Sequence, residues 1–113
     1  MLCSDILGII AEEEEARRHK DALESLLSTR YRLLHESLEE RMRRAQNDGD
    51  WIHLSQTECA ELHKQEKRYL KSQVDRLRHE QDQTSGKLAA LRRTKARAKR
   101  IRAAEVASQR KRH

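Results

Sequence analysis

The chain has 113 residues, 39% of them charged, and a formal net charge of +6. Leucine, isoleucine and valine together number 21, about 19%, which is below the roughly 20% at which a compact hydrophobic interior becomes doubtful. Composition therefore argues against a globular core. Alanine, glutamate, lysine, leucine and arginine make up 64 residues and proline is absent, as is typical of long helices and coiled coils. We expect an all-α, coiled-coil-like chain; the alternative is a chain that stays disordered until it binds a partner.

Residues 1–10 contain the short apolar run from Ile6 to Ile10 and are predicted to form an N-terminal hook. This run is too short to cross a bilayer, and the acidic residues around it are wrong for a signal or transit peptide. No membrane partner is expected. Cys3 and Cys59 are too few and too far apart for a disulfide framework, so we expect a reducing compartment, namely the cytoplasm.

Residues 11–46 are predicted to form a first long amphipathic helix. Its apolar residues recur at steps of 4, 4, 3, 4, 4 and 3: Leu23, Leu27, Tyr31, Leu34, Leu38, Met42 and Ala45. This eleven-residue repeat is close to the pitch of an α-helix, so the stripe stays on one face. A narrow apolar stripe has to lie against another element. We therefore expect the residues from Leu23 to Met42 in this stripe to bind other helical proteins of a large assembly.

Residues 47–50 are predicted to form a turn, because asparagine, aspartate and glycine favour turns. A second helix is predicted over residues 51–86, beginning after Asp50 or at Ser55, which has capping-box spacing with Glu58. Its seam follows a heptad pattern in which three members are polar or charged: Leu70, Val74, Leu77, Gln81, Thr84, Leu88, Leu91, Lys95 and Ala98. The predicted architecture is an elongated pair of long helices joined by a short turn near residues 46–50, without a globular core.

Trp51 and Ile52 are the bulkiest apolar pair in the chain and directly follow the predicted turn. In one interpretation they pack the turn shut. In the other they anchor the chain in a partner's pocket, because tryptophan is enriched among binding hot spots. We favour the anchor and include both residues among those expected to bind a partner.

Residues 87–113 are predicted to form a basic helical tail, with 11 basic residues and 1 acidic residue, separated from the second helix by a weak point near Gly86. Like charges repel along such a helix unless an anionic surface neutralises them. RNA, DNA and an acidic surface such as that of tubulin all fit, and a nuclear localisation signal is a further explanation. The absence of interleaved aromatic residues argues against sequence-specific reading of single strands. The expected polyanion-binding residues are Arg92, Arg93, Lys95, Arg97, Lys99, Arg100 and Arg102.

The sequence carries no pattern that indicates catalysis. Cys59 and His63 share a helix face, but zinc needs about four ligands and there is no second pair at ligand spacing. A glycine-rich phosphate loop is also missing. The chain is therefore expected not to be an enzyme, and no metal, cofactor or small-molecule substrate is predicted.

Residues 17–41, RRHKDALESLLSTRYRLLHESLEER, contain a basic opening, then Leu23, the doublet Leu26-Leu27 and a closing Leu38. This order resembles the trichohyalin-plectin-homology motif of ciliary and flagellar coiled-coil proteins. Arg30 stands where that motif has an acidic residue, and Leu34 where it has an aromatic one. The resemblance implies a non-catalytic structural component of an axonemal or doublet-microtubule assembly, which staples or spaces neighbouring subunits in the cytoskeleton of a cilium or flagellum.

The alternative function is a small structural subunit of a ribosome or another ribonucleoprotein, in the cytosol, the nucleus or an organelle. The basic C-terminal helix is then expected to lie along RNA phosphates. The two functions differ in where the specific contacts lie. The first places them on the apolar stripe and Trp51, and the second places them on the tail.

Overall fold

The computed structural model describes the backbone of residues 2–112 and the side chains of residues 5–111. It contains three helices, α1 (Leu2–Leu34), α2 (Leu38–Asp48) and α3 (Gln56–Arg112). No strand occurs in this described part of the chain, which confirms the all-α prediction. The prediction of two long helices is partly wrong, because the first is divided. Met1, His113 and the side chain of Cys3 lie outside the described residues.

Two compact units divide the chain, and α1 and α3 contribute residues to both. The first unit consists of Met1–Leu23 and Glu80–His113, and the second consists of Glu24–His79. Each unit has its own buried residues and its own ion pairs.

In the first unit, a stretch of α1 lies antiparallel to a stretch of α3. Glu13 pairs with Lys95, whereas His19, further along α1, pairs with Glu80, which is earlier on α3. The buried residues of α1 in this unit follow one another at intervals of seven, three and seven residues, which is a heptad pattern: Ile6, Glu13, Ala16 and Leu23. Helix α1 begins at Leu2, so the region predicted as a separate hook is part of this helix.

The second unit packs the end of α1, the whole of α2 and the start of α3 together. Arg30 donates a hydrogen bond of 3.1 Å to Gln73, which joins α1 to α3, and an ion pair between Arg41 and Glu66 joins α2 to α3. The buried residues of this unit are Leu27, Arg41, Ala45, Cys59, His63 and Val74. No large side chain in the described residues is completely buried, so the packing is that of a helical seam.

Helix α1 ends at Leu34, which corrects the single helix predicted over residues 11–46. Ser37 has an extended backbone, and its hydroxyl accepts a 3.1 Å hydrogen bond from the backbone N–H of Glu40, so Ser37 is the N-cap of α2. The prediction missed this break because the apolar spacing continues unchanged from Leu34 to Leu38. The Ser-x-x-Glu spacing of Ser37 and Glu40 is the signal that marks the new helix start.

Helix α2 ends at Asp48 in a Schellman motif. The N–H of Gly49 donates to the carbonyl of Gln46, and the N–H of Asp50 donates to the carbonyl of Ala45. Gly49 has a φ of 76°, a conformation that glycine adopts without a Cβ clash.

Helix α3 begins after Ser55 in a reciprocal capping box. The Ser55 hydroxyl accepts from the N–H of Glu58, and the Glu58 carboxylate accepts from the N–H of Ser55. The observed start is therefore the Ser55 alternative, several residues after the predicted residue 51. From there α3 continues through Gly86 without interruption, so the second helix and the basic tail are one helix.

The heptad seam of α3 faces inward along its length. Val74, Thr84 and Leu88 are buried, and the other six members are half-buried: Leu70, Leu77, Gln81, Leu91, Lys95 and Ala98. Two polar members are satisfied within the chain. The Thr84 hydroxyl donates to the carbonyl of Glu80 at 2.9 Å, and Lys95 pairs with Glu13.

Candidate functional site

The predicted polyanion-binding residues of α3 divide into an inward and an outward group. Lys95 is inward, with its Nζ atom 2.5 Å from Oε2 of Glu13. Arg92 lies at the border, with its Nε atom 3.7 Å from Oε1 of the same carboxylate. Arg17 of α1 donates to Oε1 as well, at 3.1 Å. Glu13 thus offsets basic charge on both helices, and Lys95 is not free to bind an external anion.

Glu13 is a buried acid within the seam of the first unit. The hydrogen bond from Lys95 holds the pKa of this carboxyl below its ordinary value, although burial acts in the opposite direction. Glu13 is therefore ionised at neutral pH. A sliding of α1 along α3 leaves this charge buried without a partner, which is costly, so the ion pair defines how the two helices align.

The outward group is a row of three arginines, Arg93, Arg97 and Arg100, whose spacing of four and three places them on one face of α3. All three are exposed, and none forms an ion pair or side-chain hydrogen bond with another described residue. Lys99 and Arg102 are exposed beside the row. The small residues around it leave the guanidinium groups open: Ala89, Ala90, Ala96 and Ala104. Uncompensated like charges at these spacings repel, and an anionic partner removes that cost.

The apolar stripe predicted to bind a partner is largely occupied within the chain. Leu23 and Leu27 have exposed fractions of 2% and 5%. The remaining four members are half-buried: Tyr31, Leu34, Leu38 and Met42. The assignment of Leu23 and Leu27 to an external partner is therefore corrected, because this chain itself covers them. The spacing of an apolar stripe is the same whether its partner belongs to the same chain or to another.

Two bidentate ion pairs organise the second unit. Arg41 donates from Nε and Nη2 to the two oxygens of Glu66, at 2.8 and 2.9 Å. Arg44 makes the same arrangement with Glu36, at 3.0 Å for both hydrogen bonds. These hydrogen bonds hold the pKa values of the Glu36 and Glu66 carboxyls below the ordinary value. Bidentate pairing fixes orientation as well as charge, so both pairs act as structural clamps.

Trp51 is held against the first of these clamps. The Cζ atom of Arg41 lies 3.8 Å from the centre of the Trp51 ring, within cation–π range. The φ of Trp51 is 61°, which bulky residues seldom adopt. This contact supports the interpretation in which Trp51 packs the turn. Ile52 beside it has an exposed fraction of 68% and is accessible to a binding partner.

A cavity of about 210 Å³ lies beside the ion pairs, with Glu36, Arg41, His63 and Glu66 in its lining. Two buried nitrogen atoms, Nη1 of Arg41 and Nε2 of His63, have no hydrogen-bond partner among the described residues. A cavity of this size with two unpaired nitrogen atoms near it has room for an ordered water. The two glutamates and two arginines of its lining are paired as Arg41–Glu66 and Arg44–Glu36, which fits a structural role.

A surface groove of about 570 Å³ lies beside the turn in the second unit. Its apolar lining is formed by Met42, Trp51, Ile52, Leu54 and Cys59. Its polar lining includes the acidic residues Glu39 and Asp50 and the basic residue Arg43. Glu58 is exposed next to the lining residue Cys59 in sequence, whereas Glu40 and Asp48 line a separate surface cavity together with Arg43 and Arg44. The result is a largely apolar groove whose charged lining consists of two acids and one arginine.

Neither a metal site nor a membrane span is present in the part of the chain that the structure describes. No cluster of three or more histidine, cysteine, aspartate or glutamate residues there could hold a metal ion. No helix there is long and apolar enough to cross a bilayer. Cys59 is a buried free thiol, one helical turn from the buried His63.

Comparisons with known proteins assign no family to this chain. No protein-family model matches it, and no curated protein or solved structure was found to match it. The function proposed below therefore rests on the residues and contacts of the chain itself.

Proposed function

We propose that this chain is a non-catalytic structural subunit of a large assembly. Its basic end binds an anionic surface of that assembly. The observation that supports this most is the exposed row of Arg93, Arg97 and Arg100, which has no counter-charge among the described residues. The row lies on a helix whose opposite face is already packed in the first unit. The subunit therefore presents these basic charges on one face of a helix.

The assembly that we propose first is the axoneme, with the acidic surface of doublet microtubules as the partner. Residues 17–41 resemble a motif of ciliary and flagellar coiled-coil proteins, and the arginine row matches an acidic protein surface in charge. The exposed Ile52 offers a second contact to a neighbouring subunit. In this role the chain spaces or staples subunits of the cytoskeleton.

The second candidate is a structural subunit of a ribonucleoprotein, and the arginine content of the basic end favours it. Five of the seven predicted polyanion-binding residues are arginine, and the planar guanidinium group matches phosphate in bidentate geometry. The row carries no aromatic side chain for base stacking. Contacts in this role are therefore to phosphates, independent of sequence and strongly dependent on salt.

Two binding assays on the full chain test the role of the basic end. The first is co-sedimentation with microtubules, and the second is a mobility-shift titration with a short RNA duplex. The test variant is Arg93→Gln/Arg97→Gln/Arg100→Gln. The matched control is Arg68→Gln/Arg76→Gln/Arg78→Gln, which removes three other exposed arginines from the same helix. Substitutions are preferable to truncation, because removing the end of α3 also removes the partner of α1.

The axonemal proposal predicts that the unmodified chain and the control co-sediment with microtubules, whereas the test variant stays in solution. Microtubules whose acidic tails have been removed by limited proteolysis should bind the chain weakly. If the unmodified chain and the control bind RNA, the test variant does not, and none of them binds microtubules, the ribonucleoprotein is favoured. If the unmodified chain binds neither partner at low salt, the proposed role of the basic end is wrong.

A further inference from the structure

We propose that this chain assembles head to tail with further copies of itself, and that the basic end of one copy docks in the acidic groove of the next. The groove is the one lined by Met42, Trp51, Ile52 and Leu54. The docking segment is α3 around Ile101. The docking segment shares Arg97 and Arg100 with the arginine row of the proposed function, so docking between copies and binding to another anionic surface compete for these side chains.

The groove has the composition of a docking site. Its lining contains several apolar side chains, and Ile52 at its edge is 68% exposed. Two acidic residues, Glu39 and Asp50, are in its lining, and the exposed Glu58 is adjacent in sequence to the lining residue Cys59. The other arginines of α2 do not offset these acids, because Arg41 pairs with Glu66 and Arg44 pairs with Glu36. Arg43 remains as the basic residue in the lining.

The end of α3 has the complementary composition. Ile101 and Val106 have exposed fractions of 46% and 40%. Ile101 is flanked by exposed basic residues: Arg97, Arg100 and Arg102. One surface is thus an apolar groove among acids, and the other is an apolar side chain among bases. Protein interfaces commonly have this arrangement, with an apolar centre and a polar rim.

The two surfaces differ, so the contact between copies is heterologous. Such a contact leaves a free groove on one copy and a free basic end on the other, and it propagates into a ring or an open filament. Charge complementarity at the rim provides specificity and makes the association dependent on salt. We therefore expect growth beyond a dimer as the concentration rises.

Sedimentation velocity of the full chain over a range of concentrations tests this proposal. At low salt the average sedimentation coefficient should rise with concentration, and at high salt the rise should be smaller because the rim charges are screened. Ile101→Ser should weaken the association about tenfold with the charges unchanged, which separates docking from non-specific attraction. Circular dichroism of each variant checks that its helicity is retained.

A mixing experiment tests the head-to-tail geometry. The groove variant is Glu39→Lys/Asp50→Lys, and the tail variant is Arg97→Glu/Arg100→Glu. Each alone should associate at least about tenfold more weakly. An equimolar mixture should regain association into larger species, because the unaltered tail of the groove variant fits the unaltered groove of the tail variant, and the new glutamates of the one face the new lysines of the other.

Matched controls change exposed charges elsewhere on α3. They are Asp75→Lys/Asp82→Lys and Arg68→Glu/Arg76→Glu, and both should associate like the unmodified chain. A chain that is monomeric at every concentration at low salt overturns the proposal. The proposal is also overturned if the controls lose as much association as the groove and tail variants. A mixture whose sedimentation is the sum of its two components overturns it as well.

Discussion

Glu13 and Lys95 form an ion pair at positions of the first unit where a coiled-coil seam ordinarily has apolar side chains. The carboxylate is buried, and it also receives a hydrogen bond from Arg17. Apolar side chains can be buried in many alignments of two helices. A buried carboxylate is stable only in an alignment that places a basic side chain beside it. The pair therefore selects one register between α1 and α3 of this unit.

Replacement of Glu13 by glutamine should lower the melting temperature of the chain. The substitution keeps the size of the side chain and removes the counter-charge of Lys95. The matched control is Glu14→Gln, which affects an exposed ion pair with Arg18 and should change stability little. Thermal unfolding followed by circular dichroism measures both. Equal melting temperatures for the two variants contradict the role assigned to Glu13.

Replacement of Glu66 by glutamine should reduce the free energy of unfolding by about 1–3 kcal/mol, because the buried guanidinium of Arg41 loses its charged partner. Glu61→Gln is the control, since Glu61 is exposed on the same helix and has no ion pair among the described residues. Urea unfolding followed by circular dichroism and by Trp51 fluorescence gives both values. A change confined to fluorescence, with no loss of stability, speaks against the clamp.

The free energy of unfolding should decrease at acidic pH, because three glutamate carboxyls that form ion pairs in the folded chain become protonated. The pKa values of Glu13, Glu36 and Glu66 are lowered in the folded chain by their basic partners, relative to an ordinary value of 4.5. Each stabilises the fold fully above that ordinary value, and the stabilisation is lost as the pH falls through the lowered pKa. Melting temperatures should therefore decline below about pH 4.5. A melting temperature that stays constant down to pH 3 excludes this linkage.

Two glycines should respond to alanine in opposite directions. A Cβ atom at Gly86 meets nothing within 4 Å, and its position inside α3 makes Gly86→Ala stabilising by about 0.5–1 kcal/mol. Gly49 has a φ of 76°, so Gly49→Ala should destabilise by about 1–2 kcal/mol. Chemical unfolding of the two variants provides the comparison. If both substitutions change the free energy of unfolding in the same direction, the backbone conformation assigned to one of the two glycines is wrong.

The chain should unfold cooperatively at a temperature that does not depend on its concentration. Its seams are buried or half-buried against its own helices, so the chain itself supplies the surfaces that cover them. The measurement belongs at high salt, where docking between copies is screened. A gradual loss of helicity that shifts with concentration instead favours the alternative in which the chain orders only on a partner.

Sequence patterns predict the seam of α3 well and the seam of α1 poorly. From Leu70 to Ala98 the apolar residues keep heptad spacing, and burial follows it. In α1 the heptad of buried residues includes Glu13, whose charge conceals the pattern from a search for apolar residues. The break after Leu34 is concealed for the opposite reason, because apolar spacing continues across it.

The candidate binding surfaces also have features that the sequence predicts and features that depend on the fold. The basic character of residues 92–102 is evident from the sequence, whereas the neutralisation of Lys95 by Glu13 joins residues far apart in the chain. The clamps of Arg41 and Arg44 depend on how α2 packs against its neighbours. Charge at a position is local information, and whether that charge is already paired depends on the fold.

The outward arginine row couples binding to folding at this end of α3. Repulsion within the row raises the free energy of the helix, so any ligand that neutralises the row stabilises the folded chain, and this stabilisation grows with the logarithm of the ligand concentration above the dissociation constant. Salt then acts in two opposite directions: it relieves repulsion in the free chain and weakens the complex. Amide hydrogen exchange around residues 93–100 should accordingly slow when an anionic partner binds, even where the partner contacts only side chains.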